Sequence, residues 1–96
     1  MKYGKRSLKY IRAGKKFLTS RTTKTEPSEE HPEIIAVFGP LPLWFIKHFL
    51  YAAHGVGSLD EYHRWVNQIF RRKVDVNREL YVHVVSPMIV MEMNPE

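Results

Sequence analysis

The sequence predicts a small two-layer α+β domain with element order β-α-α-β-β, preceded by a basic amphipathic N-terminal arm. Three observations carry this. Apolar runs of strand length stand at residues 33–38, 79–85 and 88–93. Two helical periodicities lie between the first and second of them. The cations are also segregated: residues 1–25 hold nine Lys or Arg and no acid, whereas the rest holds six against ten Asp or Glu, for a net charge of +5. Ninety-six residues at 44% hydrophobic content give one domain with a small core, too apolar for a wholly disordered chain. The chain divides into an arm at 1–18, a polar linker at 19–33 that is rich in Ser, Thr, Glu and Pro, and a compact body at 34–96.

The arm comes first. At about 100° per residue, Lys2, Lys5, Lys9, Arg12 and Lys16 fall within an arc of roughly 80° on a helical wheel. Tyr3, Leu8, Tyr10, Ile11, Phe17 and Leu18 form the apolar face. Gly4 and Gly14 each weaken such a helix by about 1 kcal/mol relative to Ala, so the isolated segment is expected to fray and to order on binding. The polyanion-binding set is Lys2, Lys5, Arg6, Lys9, Arg12, Lys15, Lys16, Arg21 and Lys24.

In the body, residues 33–38 (EIIAVF) read as a buried strand, stopped by Gly39-Pro40-Leu41-Pro42. Residues 43–54 follow as a largely apolar helix. The two prolines and Lys47 argue against a transmembrane span through this region, and no transmembrane helix is expected. Residues 58–73 carry the clearest helical signal. Ser58 and Glu61 are spaced as a capping box, and Leu59, Tyr62, Trp65, Val66, Ile69 and Phe70 share a face. Arg71, Arg72 and Lys73 close it as a charge-matched helix end and a secondary basic patch. Residues 79–85 alternate as a strand. Residues 88–93 (MIVMEM) read as a second strand after the Ser86-Pro87 turn, apolar enough to need cover from a helix or another chain.

No chemistry-bearing motif stands out: no P-loop, no HExxH, no nucleophile elbow. The absence of cysteine excludes a disulfide framework, a thiolate metal site and a Cys nucleophile, and it fits an intracellular reducing compartment, with mitochondrion or virion as alternatives. The five histidines show no i,i+4 metal pair, although His54 and His63 flank one turn. No catalytic residue, metal or cofactor is expected. The sequence therefore reads as a non-enzymatic structural protein. Its arm would bind nucleic acid by backbone contacts with little sequence preference, and its body would dock on protein partners or as a homo-oligomer in a ribonucleoprotein or nucleocapsid-type assembly. The alternatives are a matrix-like protein with its arm on an anionic membrane surface, and a small mitochondrial complex subunit.

Overall fold

Alternation over ELYVHVV builds the central element, strand β3 (Glu79–Val85), which has the bounds read from the sequence and is buried on both faces. The computed structural model describes residues 2–70 and 75–95. In chain order its elements are α1 (Lys5–Arg12), β1 (Leu18–Arg21), β2 (Ile34–Pro42), α2 (Leu43–Leu50), α3 (Leu59–Phe70), β3 and α4 (Pro87–Met93). The protein is an α+β domain on a three-stranded antiparallel sheet of order β1-β3-β2. The β-α-α-β run from β2 to β3 keeps the order read from the sequence, and α1 precedes it.

One face of the sheet presents Leu18, Leu80 and Val82 to α2 and α3, which contribute Leu43, Ile46, Tyr62 and Val66 to the main core. On the other face His83 is fully buried. Its Nε2 accepts the Thr25 N–H at 3.0 Å, and its Nδ1 lies 3.4 Å from the Thr19 carbonyl. The segment that follows β1 thus covers the second face. Helix α2 has no side-chain cap. Its first N–H groups, on Leu43 and Trp44, donate instead to the Arg78 and Val76 carbonyls at 2.8 and 2.9 Å.

Four segments differ from the sequence reading. The run at 33–38, read as a buried strand stopped by Gly39-Pro40-Leu41-Pro42, is the edge strand β2, which pairs with β3 through to Pro42 across a register shift between Phe38 and Leu41. With a neighbouring strand on one side only it is largely exposed, Ile35 at 62% and Phe38 at 40%. The helix read over 43–54 ends at Leu50, after which the chain turns and His54 bridges to Lys16. The third strand of the sheet is β1, which lies across the start of the stretch read as linker. Leu18 is its only large apolar residue, but its backbone pairs with β3 from Leu18↔Val84 to Arg21↔Tyr81. Residues 88–93, read as a strand, are helical. Ser86 caps this helix by accepting the Ile89 N–H at 3.4 Å, and Pro87 occupies its first turn, where a missing N–H costs nothing. A short apolar run carries no period able to separate strand from helix, and here the cap decides.

The arm residues are built into the domain. Ile11 of α1 is 1% exposed and packs with Val85 and Val90 in a second core cluster, flanked by Tyr3 and Leu8. After α1, the Phe17 N–H donates to the Ala53 carbonyl at 2.9 Å, and the Phe17 carbonyl accepts the Val85 N–H at 2.9 Å. Gly55, at φ +99°, allows the approach: a Cβ there would lie 2.6 Å from Tyr10 Cβ. The patch Arg71, Arg72 and Lys73 lies outside the described residues.

Candidate functional site

Between α1, β1 and α3 lies a cleft of about 370 Å³. Lys2, Lys5, Arg6, Lys16 and Arg21 line it, and among the described residues no Asp or Glu does. Its walls also include Tyr62, Trp65 and Ile69 from α3 and Ser20 and Thr22 from the β1 segment. Five of the nine polyanion-binding candidates therefore converge on one concavity.

The five cations differ in how their charge is met. Arg6 stacks over Trp65, 5.0 Å from the ring centroid, and its Nη2 pairs with Glu61 Oε1 at 3.1 Å. Glu61 is held below the usual carboxylate range, first by the Gly57 N–H at 3.0 Å and then by the Tyr10 hydroxyl at 2.8 Å. Arg6 is thus neutralised locally. Lys2 and Lys5 are exposed at the rim.

Lys16 and Arg21 are different. Lys16 is 3% exposed, and its ammonium sits 5.0 Å from the Trp65 ring centroid. Among the described residues no carboxylate and no hydrogen-bond acceptor meets that ammonium. Arg21 donates through Nε to Thr19 Oγ1 at 3.3 Å and through Nη2 to the Lys2 carbonyl at 2.6 Å, and it stands over the Tyr3 ring. It too has no carboxylate partner among the described residues. Burial, and then repulsion from Arg21, pushes the Lys16 pKa down to about 7. Burial also lowers the pKa of Arg21.

His54 and Ser20 form a neutral pair in the same wall. His54 Nδ1 lies 2.8 Å from the Leu50 carbonyl and so carries the proton, and Nε2 accepts from Ser20 Oγ at 2.8 Å. Burial and the neighbouring Lys16 lower the His54 pKa to about 3. This resembles a Ser–His couple in outline. A base lowered this far is a weak acceptor for a serine proton near neutrality.

The remaining basic candidates are elsewhere. The Arg12 guanidinium donates to the Asn94 carbonyl at 3.1 Å. Lys24 pairs with Glu26 at 2.7 Å, and Lys9 and Lys15 are exposed outside the cleft. Of the apolar arm face, Ile11 and Leu18 are core residues, Tyr3, Leu8 and Tyr10 are half-buried, and Phe17 alone is exposed. The sequence places Tyr62 and Trp65 on one helical face and His54 beside a turn, but it gives no role to Ser20 and no sign that the four meet the basic residues. They lie on three separate segments, and no spacing pattern links those segments. Among the described residues no helix is long and apolar enough to cross a membrane. No protein-family model, no curated protein and no solved structure matches this chain.

Proposed function

We propose that the protein is a non-enzymatic structural protein that binds nucleic acid through phosphate contacts in the basic cleft, while its body docks on protein in a ribonucleoprotein or nucleocapsid-type assembly. The observation that carries this reading is the convergence of Lys2, Lys5, Arg6, Lys16 and Arg21 on one cleft with no lining acid among the described residues. Burying like charges side by side is costly unless an anion meets them, and phosphate oxygens are matched to guanidinium and ammonium donors. Exposed Ile35, Phe38, Trp44 and Phe49 around β2 and α2 support the protein-docking half.

A lipid surface is the weaker reading. It needs the apolar arm face to enter a bilayer, yet that face is spent mostly on the two core clusters. Binding to an oligonucleotide duplex, titrated against salt, tests the proposal. With Arg6 held by Glu61, about four neutralised phosphates give a slope of log K against log[salt] of roughly −3 to −4. Lys5→Glu combined with Arg21→Gln should flatten that slope. Salt-insensitive binding to anionic vesicles, with no binding to nucleic acid, would overturn the proposal.

A further inference from the structure

We infer that the cleft is a seat for a phosphate monoester, the terminal phosphate of a nucleic-acid strand, held between the Lys16 ammonium and the Arg21 guanidinium. This rests on the phosphate-binding reading above and narrows it to one kind of phosphate.

A phosphodiester within a strand has two of its oxygens esterified, and the chain must leave in both directions. Such a group meets an open surface. Lys16 is not on an open surface: it is 3% exposed, at the inner wall of a concave site. A monoester has one ester oxygen, so its free oxygens can point inward while a single chain leaves through the mouth. The volume, about 370 Å³, is in the range of sites that enclose one small group.

Charge points the same way. A monoester carries about −1.5 to −2 near neutrality, whereas a diester carries a single negative charge. Four cations of the cleft lack a carboxylate among the described residues, while Arg6 already has Glu61. Lys2 and Lys5 of these four are exposed to solvent, which leaves Lys16 and Arg21 as the two withdrawn from it, and their charge matches a dianion.

Donor geometry completes the fit. Arg21 is anchored by its Nε and Nη2 donors on Thr19 and Lys2, and nothing among the described residues accepts from Nη1. With its Nε–Nη2 edge anchored, the guanidinium is held in place and keeps Nη1 as a donor for a ligand. Lys16 supplies a point charge whose ammonium has no other acceptor to give up. Ser20 is already committed as a donor to His54, so it offers lone pairs and not a proton. Exposed Lys2 and Lys5 at the rim are placed to meet the next phosphates of the same strand.

The test uses the full chain carrying Trp44→Phe, so that Trp65, beside Lys16, is the only indole. Its fluorescence is titrated with one single-stranded oligonucleotide bearing either a 5′-phosphate or a 5′-hydroxyl, and with a nucleoside monophosphate. The expected result is at least tenfold tighter binding of the 5′-phosphorylated strand. Lys16→Met and Arg21→Gln should each remove that preference, so that the two strands bind with equal affinity. Lys16→Met should not lower the melting temperature, which separates loss of a seat from loss of the fold. If the nucleoside monophosphate binds as tightly as the phosphorylated strand, the seat stands and its ligand is a small phosphomonoester. Equal affinity for the two strands overturns the seat and leaves nucleic-acid binding intact. Binding to none of the three overturns both.

Discussion

The Tyr10 hydroxyl donates a 2.8 Å hydrogen bond to Glu61 Oε1, and this bond ties the basic N-terminal helix to the start of α3. Glu61 also receives Arg6 on the same oxygen and the Gly57 N–H on the other, while its own N–H donates to Ser58 Oγ at 3.1 Å. One side chain thus closes the α3 cap and fastens α1. The Tyr10 ring meets Trp65 edge-on at 5.8 Å, so the fastening sits at the wall of the basic cleft.

Because α1 is fastened in this way, the first expectation is that it belongs to the cooperative unit. Ile11→Ala would leave a void against Val85 and Val90 and should cost about 2–5 kcal/mol, as buried Ile truncations do. Thermal melting by circular dichroism measures this. Deleting residues 2–15 should abolish a sharp transition altogether. An unchanged melt after that deletion would show that the body folds alone.

Two glycines give a paired test of how closely α1 approaches the body. Gly14 and Gly55 both have positive φ, at +72° and +99°. Around Gly14 a Cβ meets nothing within 4 Å, so Gly14→Ala should cost only its backbone strain, about 1 kcal/mol. At Gly55 the new Cβ would fall 2.6 Å from Tyr10 Cβ, so Gly55→Ala should cost clearly more and displace α1. Urea unfolding of the two variants measures the difference. Equal losses would mean that the Tyr10 contact yields easily.

Lys16 gives the third expectation. Its pKa is about 7 in the folded chain against an ordinary 10.5, so between those values the unfolded chain holds more protons. Stability therefore rises with pH from about 7 toward 10 and is lowest where Lys16 is charged in both states. Above pH 10 the trend reverses, because burial raises Tyr3 and Tyr62 from 10.0 to about 12 and the unfolded tyrosines ionise first. On the acid side His54, at about 3 against 6.5, removes stability as pH falls through that window. Lys16→Met should raise the melting temperature at pH 6–7 and erase the rise from 7 to 10. His54 and its acid limb should be unaffected.

How much of this was legible in the chain depends on where each signal resides. β3 alternates over seven residues and was readable to its ends, since period alone decides a two-faced central strand. The Ser58–Glu61 spacing marked the start of α3, and Ser58 caps it as expected. Strand β1 was hidden because its identity rests on pairing with β3, sixty residues away in sequence, and only Leu18 among its four residues is large and apolar. Within the site the cations were visible one by one, but which of them are buried was not. Lys9 and Lys16 share an arc on a continuous helix. The structure ends α1 at Arg12 and turns at Gly14, which leaves Lys9 exposed and brings Lys16 against Trp65.

Lys16 also sets the pH dependence of phosphate binding. The groups around it are Arg21 on β1, His54 after α2, Arg6 with Lys2 and Lys5 at the N-terminus, and Tyr62 on α3, with Glu61 engaged by Arg6. Across pH 6–9 the arginines stay charged, His54 and Tyr62 stay neutral, and Lys16 is the titrating member of the wall. A phosphate monoester becomes fully dianionic above its second pKa, about 6. Affinity should therefore peak between about pH 6 and 7. Above 7 the uncharged lysine must take up a proton to bind, so log K should fall by up to about one for each further pH unit. Calorimetry at pH 8 in two buffers of different ionisation enthalpy measures that proton directly: uptake approaching one proton per phosphate bound is expected for the native chain and none for Lys16→Met. A flat affinity from pH 7 to 9, with no proton taken up, would remove Lys16 from the seat and leave Arg21 as its anchor.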